Sequence, residues 1–195
     1  MSKFEQEVDY NLSESGVHPV LLSELLADDP DYINHLLATD LNYPHANGIP
    51  ELRKNIASMY GSAQAENVLV TVGAIEANYN SIRSVLDQGD EIVIMLPNYM
   101  QIWGVAKNHG FRIRTFALQE ENGWAPDLDQ LESVISSETK LIAICNPNNP
   151  TGTRVDSASL RAFIEVVPAH VIVVVDEAYF EYVRADDHPD ASRWL

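Results

Sequence analysis

Residues 141–152 read LIAICNPNNPTG, a run of five apolar residues that passes directly into asparagine, proline and glycine. An uninterrupted apolar run is typical of a central parallel strand, because helices cover both of its faces. Asparagine, proline and glycine are the residue types that form tight turns. We therefore predict a buried strand from Leu141 to Cys145, followed by a rigid turn that holds side-chain amides over the edge of a parallel sheet.

Short apolar runs alternate with helical patterns on both sides of this stretch. Further strands are predicted at 68–72, 91–96, 111–117 and 171–175. The helix after the first of these strands is expected to bury an apolar stripe formed by Ile75, Tyr79, Ile82 and Leu86. This alternation predicts an α/β fold, a three-layer α/β/α arrangement around a mostly parallel sheet.

The amino-terminal part of the sequence has a different pattern. Residues 21–37 are helical with a break at Asp28 to Pro30, and the residues before them are turn-rich. We therefore expect two parts. Residues 1–45 form an N-terminal arm with a segment of a small domain, and residues 46–195 form a large domain.

Acidic residues dominate the composition. The 195 residues include 29 Asp and Glu against 12 Lys and Arg, a formal net charge of −17. This balance argues against a nucleic-acid partner and against an anionic membrane surface, since both bind clustered Lys and Arg. No run approaches the roughly 18 apolar residues of a membrane span, and no secretory signal is recognisable, so we expect a cytoplasmic protein.

Cysteine and histidine give no sign of a metal or a disulfide. Cys145 is the single cysteine and lies in a strand-like run, so we predict a packing residue in a reducing compartment rather than a nucleophile. The six histidines are scattered without ligand spacing. The sequence therefore predicts no metal site.

Polar or glycine-containing segments follow the predicted strands at 73–76, 97–99, 146–152 and 176–179. The carboxyl ends of parallel strands share one edge of a sheet, where ligands bind in open α/β folds. Each segment taken singly is also explained as a turn, a helix cap or a core aromatic. Together they predict one ligand crevice.

The chemistry of these segments indicates what the crevice binds. Small residues at 73–76 leave the first N–H groups of a helix open to a phosphate, although the segment matches neither the GxGxxG nor the Walker pattern. Asp176 ends a β-branched strand. A carboxylate removed from water at the edge of the sheet is costly unless a cation pairs with it, so a cationic group of a ligand suits this position. Tyr99 offers a stacking platform for a flat ring.

The segments 146–152 and 176–179, in this order and at this spacing, resemble those of the class I/II aminotransferases, which are pyridoxal-phosphate-dependent enzymes of fold type I. Residues 43–57 and 70–76 are similar to the same family. These motifs are specific for the superfamily and not for a substrate. The resemblance implies pyridoxal 5′-phosphate as the cofactor, an amino acid and a 2-oxo acid as substrates, and transfer of an amino group between them.

The resemblance implies that four side chains hold the cofactor ring. Tyr99 stacks on the pyridine ring. Asn149 and Tyr179 hydrogen-bond its 3′-oxygen, and Asp176 pairs with the protonated ring nitrogen. A protonated ring withdraws electrons from the substrate better than a neutral ring, so Asp176 tunes the cofactor.

Further implied roles concern the phosphate, the substrate and the subunit partner. Ala74 and Ile75 are implied to donate backbone N–H groups to the cofactor phosphate, and Gly16 to line the site of the substrate carboxylate. Tyr43 is implied to reach the phosphate of the neighbouring subunit's cofactor. The resemblance therefore implies a homodimer.

The Schiff-base lysine of the family is the main departure. In the family this lysine follows the Asp-x-x-Tyr motif by several tens of residues, whereas this sequence ends 16 residues after Tyr179. The lysines of the sequence, which are Lys3, Lys54, Lys107 and Lys140, occupy no matching motif. We therefore expect the amino-terminal half of an aminotransferase, without a catalytic lysine and inactive by itself.

Three other interpretations stay open. Residues 13–18 and 121–129 are similar to capreomycidine-synthase-like enzymes, which dehydrate and cyclise an arginine derivative. Residues 153–195 are as similar to histidinol-phosphate aminotransferases. The chain is also compatible with a non-catalytic module that keeps the cofactor pocket for binding or dimerisation.

Overall fold

The computed structural model describes residues 7–10, 16 and 19–194. The chain divides into two compact units, Met1–Pro44 and His45–Leu195. The roles expected of the two parts, an arm with part of a small domain and a cofactor-binding domain, stay predictions.

The first unit contains two short helices. They are α1 (Leu22–Leu25) and α2 (Tyr32–Leu37), and they lie on either side of the predicted break. Their leucine and isoleucine side chains are exposed, Leu37 among them. Within the described residues of this unit, tertiary packing therefore contributes little to either helix.

The second unit is built on a parallel sheet. Its strands are β1 (Glu91–Leu96), β2 (Arg112–Ala117), β3 (Thr139–Cys145) and β4 (Ile172–Asp176). They pair in the order β2-β1-β3-β4, and each pairing is parallel. β3 is central and fully apolar from Leu141 onward, which confirms the prediction from its sequence.

Helices cover both faces of this sheet. They are α4 (Gly73–Val85), α5 (Gln101–Asn108), α6 (Leu128–Val134) and α7 (Ser157–Val166), whereas α3 (Pro50–Ala57) packs against residues 65–67. One buried cluster joins the sheet to α6 and α7 and includes Phe116 and Phe163. The other joins the sheet to α4 and α5 and includes Ile82 and Ile94. The predicted three-layer α/β/α fold is confirmed.

The first predicted strand, at 68–72, does not form in the structure. Residues 68–72 pair with no strand among the residues that the structure describes. Val70 N instead donates a hydrogen bond to Asn47 O (3.0 Å), and Val68 O accepts one from Arg53 Nε (2.9 Å). β-Branched residues favour extended backbone, but a strand forms only where a neighbouring strand supplies hydrogen-bond partners. The prediction of a strand at 68–72 is therefore wrong for this structure.

The buried face of α4 also differs from the predicted apolar stripe. Ile82 and Leu86 are buried as predicted, whereas Ile75 and Tyr79 are 55% and 42% exposed. The inward position one turn before Ile82 is occupied by Asn78, which is 5% exposed. Residues 78, 82 and 86 are spaced by four and therefore share one helix face. A polar side chain thus lies on the buried face of α4.

Candidate functional site

The candidate site lies at the carboxyl ends of β1 and β3. The chain leaves β1 for β2 on one side and later returns to β3 on the other side, so the strand order switches between β1 and β3. Open α/β sheets bind ligands at such a switch point. Asn148 Nδ2 donates to Pro97 O (3.0 Å) and so ties the turn after β3 to the turn after β1. These predicted segments are therefore brought together.

The turn after β3 uses two of its three amides for its own structure. Asn146 bonds the backbone of Val155 twice, at 2.8 Å through Oδ1 and at 3.2 Å through Nδ2. Asn148 Oδ1 accepts from Thr151 Oγ1 (2.8 Å). Asn149 is the amide that faces outward, and its Nδ2 donates to Tyr179 Oη (3.1 Å). The structure thus places Asn149 and Tyr179 side by side.

Asp176 is the last residue of β4 and is 7% exposed. Its Oδ2 accepts a hydrogen bond from Asn78 Nδ2 (2.8 Å), and its Oδ1 accepts one from Ala178 N (3.1 Å). Both of these partners are neutral. A buried carboxylate held by neutral donors is oriented, and its charge remains available to a cationic group of a ligand.

Two residues that the sequence analysis missed connect Asp176 to α4 and α5. Asn78 Nδ2 also lies 3.3 Å from Gln101 Oε1, and Gln101 Nε2 donates to Ile75 O (2.5 Å). This chain of amides links the carboxylate of Asp176 to the first turn of α4. The signal that could have revealed Asn78 is its position four residues before Ile82, on the buried face of a helix.

The amino terminus of α4 faces solvent. Gly73 has a φ of +76°, a conformation that favours glycine, and Ala74 and Ile75 follow it in the first turn. Backbone N–H groups at the start of a helix have no intrahelical partner and attract anions. Glu76 Oε2 accepts from Val72 N (2.5 Å). A carboxylate in this turn therefore opposes the attraction of an anion.

Asn98 and Tyr99 follow β1 at the same edge. Tyr99 is 39% exposed, so part of its ring is accessible. Asn98 is 5% exposed, and its Oδ1 accepts from Tyr99 N (2.7 Å). Asn98 Nδ2 is buried without a hydrogen-bond partner among the described residues. A buried unpaired donor destabilises a fold, so the amide of Asn98 is a local cost at this edge of the sheet.

Cys145 is a packing residue, as predicted. It is 2% exposed, and its thiol donates to Pro147 O (3.1 Å). Burial raises the pKa of this thiol to about 11. A neutral, enclosed thiol is a poor nucleophile.

The lysines do not converge on the crevice. Lys140 Nζ lies 2.8 Å from Asp90 Oδ1, at the amino end of the sheet and away from Asn149. Lys107 is in the last turn of α5, which leads away from the turn after β1. Lys54 belongs to the last turn of α3, and Lys3 lies outside the described residues.

Two predicted site residues belong to the first unit. Tyr43 is 98% exposed, and Gly16 is exposed as well. The neighbours of Gly16 at 13–15 and 17–18 lie outside the described residues. The roles of Tyr43 and Gly16 stay predictions.

Two other kinds of feature are absent from the described part of the chain, a membrane-spanning helix and a metal cluster. Its helices are all too short or too polar to cross a membrane. No group of three or more His, Cys, Asp or Glu side chains is arranged to hold a metal ion there.

Comparisons with known proteins identify the family of this chain. The family model for aminotransferase class I and II matches residues 22–194. A histidinol-phosphate aminotransferase 2 of Bacillus cereus is 37% identical over 180 residues, which are 92% of this chain and 46% of that protein. An aromatic amino acid aminotransferase of Mycobacterium sp. (strain KMS) is 36% identical over 165 residues, 79% of this chain and 44% of that protein.

A solved structure shows the same fold. The PLP-dependent aminotransferase from Streptococcus suis 89-1591 matches with a TM-score of 0.78 and 32% identity, over 83% of this chain and 44% of that chain. The chain thus spans about half the length of these relatives, and its fold is part of the fold-type-I architecture. It belongs to the class I and II aminotransferase family.

Proposed function

We propose that this chain is the cofactor-binding half of a pyridoxal-phosphate-dependent aminotransferase that moves an amino group between an amino acid and a 2-oxo acid. The observation that carries the proposal is the buried carboxylate of Asp176, which two neutral donors orient at the carboxyl end of β4, next to the end of β3. The pair formed by Asn149 and Tyr179 lies at the same edge. These groups fit a flat, cationic ring that bears an oxygen substituent.

Each residue of the proposed site has a physical task. Asp176 stabilises a proton on the ring nitrogen, because a carboxylate lowers the free energy of a neighbouring cation. Asn149 and Tyr179 hydrogen-bond the ring oxygen, and Tyr99 packs against one face of the ring. When bound, pyridoxal phosphate supplies an electron sink for the substrate carbon.

The first turn of α4 is proposed to bind the phosphate. The N–H groups of Ala74 and Ile75 and the dipole of a helix of 13 residues favour an anion at this place. Gln101 steadies the turn through its bond to Ile75 O. Glu76 weakens this attraction, because its carboxylate repels an anion at the same turn.

Substrate choice and assembly are further proposals. Histidinol phosphate is one candidate substrate, because several of the similar proteins are histidinol-phosphate aminotransferases. An arginine derivative, as in capreomycidine synthases, and a non-catalytic cofactor module are alternatives. We also propose a cytoplasmic homodimer, in which the exposed Tyr43 reaches the cofactor of the neighbouring subunit.

The proposal is tested by cofactor binding. Asp176→Asn keeps the shape of the side chain and removes its charge, so the dissociation constant for pyridoxal phosphate should rise at least about tenfold, a loss of about 1.4 kcal/mol. Equilibrium dialysis and the absorption of the protonated ring measure this change. Asp186→Asn is the matched control, because Asp186 is an exposed carboxylate outside the crevice.

Circular dichroism first establishes that both variants fold. Equal affinity of wild-type protein and Asp176→Asn for the cofactor would contradict the proposed role of Asp176. Absence of binding to the folded wild-type chain would contradict the proposed site as a whole.

A further inference from the structure

The segment at 97–100 connects the end of β1 to the start of α5 and contains Tyr99. Tyr99 is 39% exposed and Met100 is 56% exposed, so packing holds this half of the segment weakly. Hydrogen bonds fasten the segment at its two ends instead. At the first end, Asn148 Nδ2 donates to Pro97 O (3.0 Å). At the second end, the fastening residue is Gln101, the first residue of α5.

Gln101 bonds α4 with both polar atoms of its side-chain amide. Its Nε2 donates to Ile75 O (2.5 Å), and its Oε1 accepts from Asn78 Nδ2 (3.3 Å). Asn78 Nδ2 also donates to Asp176 Oδ2 (2.8 Å). One side chain at the start of α5 therefore reaches two residues of α4 and, through the second of them, the end of β4.

The groups at the two ends of this chain of amides fix its direction. Ile75 O is a carbonyl oxygen, and the carboxylate of Asp176 also only accepts hydrogen bonds. Each amide must therefore present its NH₂ group to one end, which leaves Gln101 Oε1 as the acceptor for the other hydrogen of Asn78 Nδ2. A flipped amide of Gln101 would set two oxygens against each other at Ile75. The amides thus have one compatible arrangement and hold each other in place.

We propose that Gln101 is a positioning residue, which holds the segment of Tyr99 in register with the first turn of α4 and with Asp176. The inference rests on the proposed function, in which these three parts contact the ring face, the phosphate and the ring nitrogen of one cofactor. Ile102 is fully buried and fastens α5 to the core, whereas Gln101 fastens the same turn to α4. One ring stacks on Tyr99 and pairs with Asp176 only if both are correctly placed, so a shift of about 1 Å weakens binding.

The test compares the cofactor affinity of matched variants of the full 195-residue chain. Gln101→Met keeps the length of the side chain and removes both bonds, so the dissociation constant for pyridoxal phosphate should rise about fivefold. The induced circular dichroism of the bound cofactor should fall as well, because the ring is no longer held in one orientation. Gln88→Met makes the same change at an exposed position in the turn before β1, at the other end of that strand, and should change neither quantity.

A double-mutant cycle determines whether Gln101 acts through Tyr99. In a Tyr99→Ala background there is no ring to position, so Gln101→Met should weaken binding by less than about twofold. A purely structural role of Gln101 would give the same loss in both backgrounds. Far-ultraviolet circular dichroism establishes that each variant folds. Gln101→Ala removes the same two bonds without adding bulk and is the second variant, which keeps the comparison decisive if Gln101→Met does not fold.

Two outcomes would overturn the inference and leave the proposed function intact. They are equal cofactor affinity of the wild-type protein and the Gln101 variants, and an equal loss of affinity with and without the ring of Tyr99. Failure of the proposed cofactor site gives a different result, because the wild-type chain itself then binds no pyridoxal phosphate, and the inference falls with it.

Discussion

At the scale of single residues, Asn78 connects the scaffold to the proposed chemistry. It is buried on α4, and its amide donates to Asp176 on β4 and contacts Gln101 on α5. The same amide thus fixes the carboxylate and joins three elements. Helical patterns of apolar residues do not reveal such a residue, because they treat a polar side chain on the buried face as an interruption.

Replacing Asn78 by alanine should harm stability and cofactor binding together. The buried Asp176 Oδ2 loses a donor, which should lower the free energy of unfolding by about 1–3 kcal/mol. The dissociation constant for pyridoxal phosphate should also rise, because the carboxylate is no longer oriented. Urea unfolding and equilibrium dialysis measure the two effects.

Asn80→Ala is the control, since Asn80 lies on the same helix without contacts to Asp176 among the bonds described. Equal behaviour of the two variants would show that Asn78 does not position Asp176.

Glu177 is a residue whose ionisation should affect stability. Burial, with Asp190 as the next cause, raises the pKa of Glu177 from 4.5 to about 7. Two titratable groups lie nearby. Burial, together with the charge of Glu177, raises the pKa of Tyr60. Burial opposes the charge of Asp190, but hydrogen bonds from Ser192 and from Gly61 N lower its pKa. Glu177 therefore holds its proton in the folded chain at a pH where the unfolded chain has released it.

The sign of the pH dependence follows from this difference. The contribution of Glu177 is fully present below about pH 4.5 and is lost as the pH rises to about 7. Glu177→Gln should remove this loss and stabilise the chain at pH 8 by about 1 kcal/mol, a value reduced by partial solvent screening. Thermal unfolding of both proteins between pH 4 and 8 measures it. Asp186→Asn, at an exposed carboxylate that is not among the groups acting on Glu177, should leave the pH profile unchanged. Parallel pH profiles of wild type and Glu177→Gln would refute the expectation.

At the scale of elements, the amino ends of three strands are joined by one carboxylate. Glu91 begins β1 and is 3% exposed. It accepts hydrogen bonds from Ser136 Oγ (2.6 Å), Thr139 Oγ1 (2.7 Å) and Arg114 Nε (3.0 Å). Burial opposes the charge, but these three donors hold the pKa of Glu91 below its usual value. The carboxylate thus connects β1 to β2 and β3.

Glu91→Ala should therefore be strongly destabilising. It removes the partner of the half-exposed Arg114 and leaves the hydroxyl groups of Ser136 and Thr139 without their acceptor, so the free energy of unfolding should fall by about 3 kcal/mol. Urea unfolding measures this change. Glu138→Ala removes an exposed pair with Arg112 (3.6 Å) and should cost less than about 1 kcal/mol. Similar losses for the two variants would contradict the buried network.

The segment at 68–72 shows how an element depends on its neighbours. Its composition is as favourable for a strand as that of β4, yet β4 pairs with β3 and the segment pairs with no described strand. Strand formation requires a partner at the correct distance, which composition does not encode. Val68 and Leu69 of this segment line a cavity beside β4.

At the scale of the whole molecule, the proposed transamination requires a lysine at the cofactor. Among the described lysines, Lys140 is paired with Asp90 at the far end of the sheet. Incubation with pyridoxal phosphate and borohydride, followed by peptide mapping, should give no stoichiometric adduct at a single lysine. The chain should also show no transamination by itself. A single fully labelled lysine would overturn the expectation that this chain is inactive alone.

The local sequence determined much of this protein. The apolar run at 141–145, the turn after it and the alternation of strands and helices predicted the parallel sheet, because burial on both faces and turn chemistry are local properties. The motifs at 146–152 and 176–179 indicated the family, and the comparisons confirm it. Asn149 and Tyr179 were singled out from these motifs, and the structure brings them into contact.

Other features were decided only by the tertiary structure. Residues far away in the chain decide three of them. These are the burial of Asn78, the hydrogen bonds to the carboxylate of Glu91 and the unpaired state of the segment at 68–72. Long-range contacts decide whether a polar group finds a donor and whether an extended segment finds a partner strand, and neither is encoded in hydrophobic spacing. The sequence therefore determined which ligand crevice is expected, and the tertiary structure decided how its carboxylate is held.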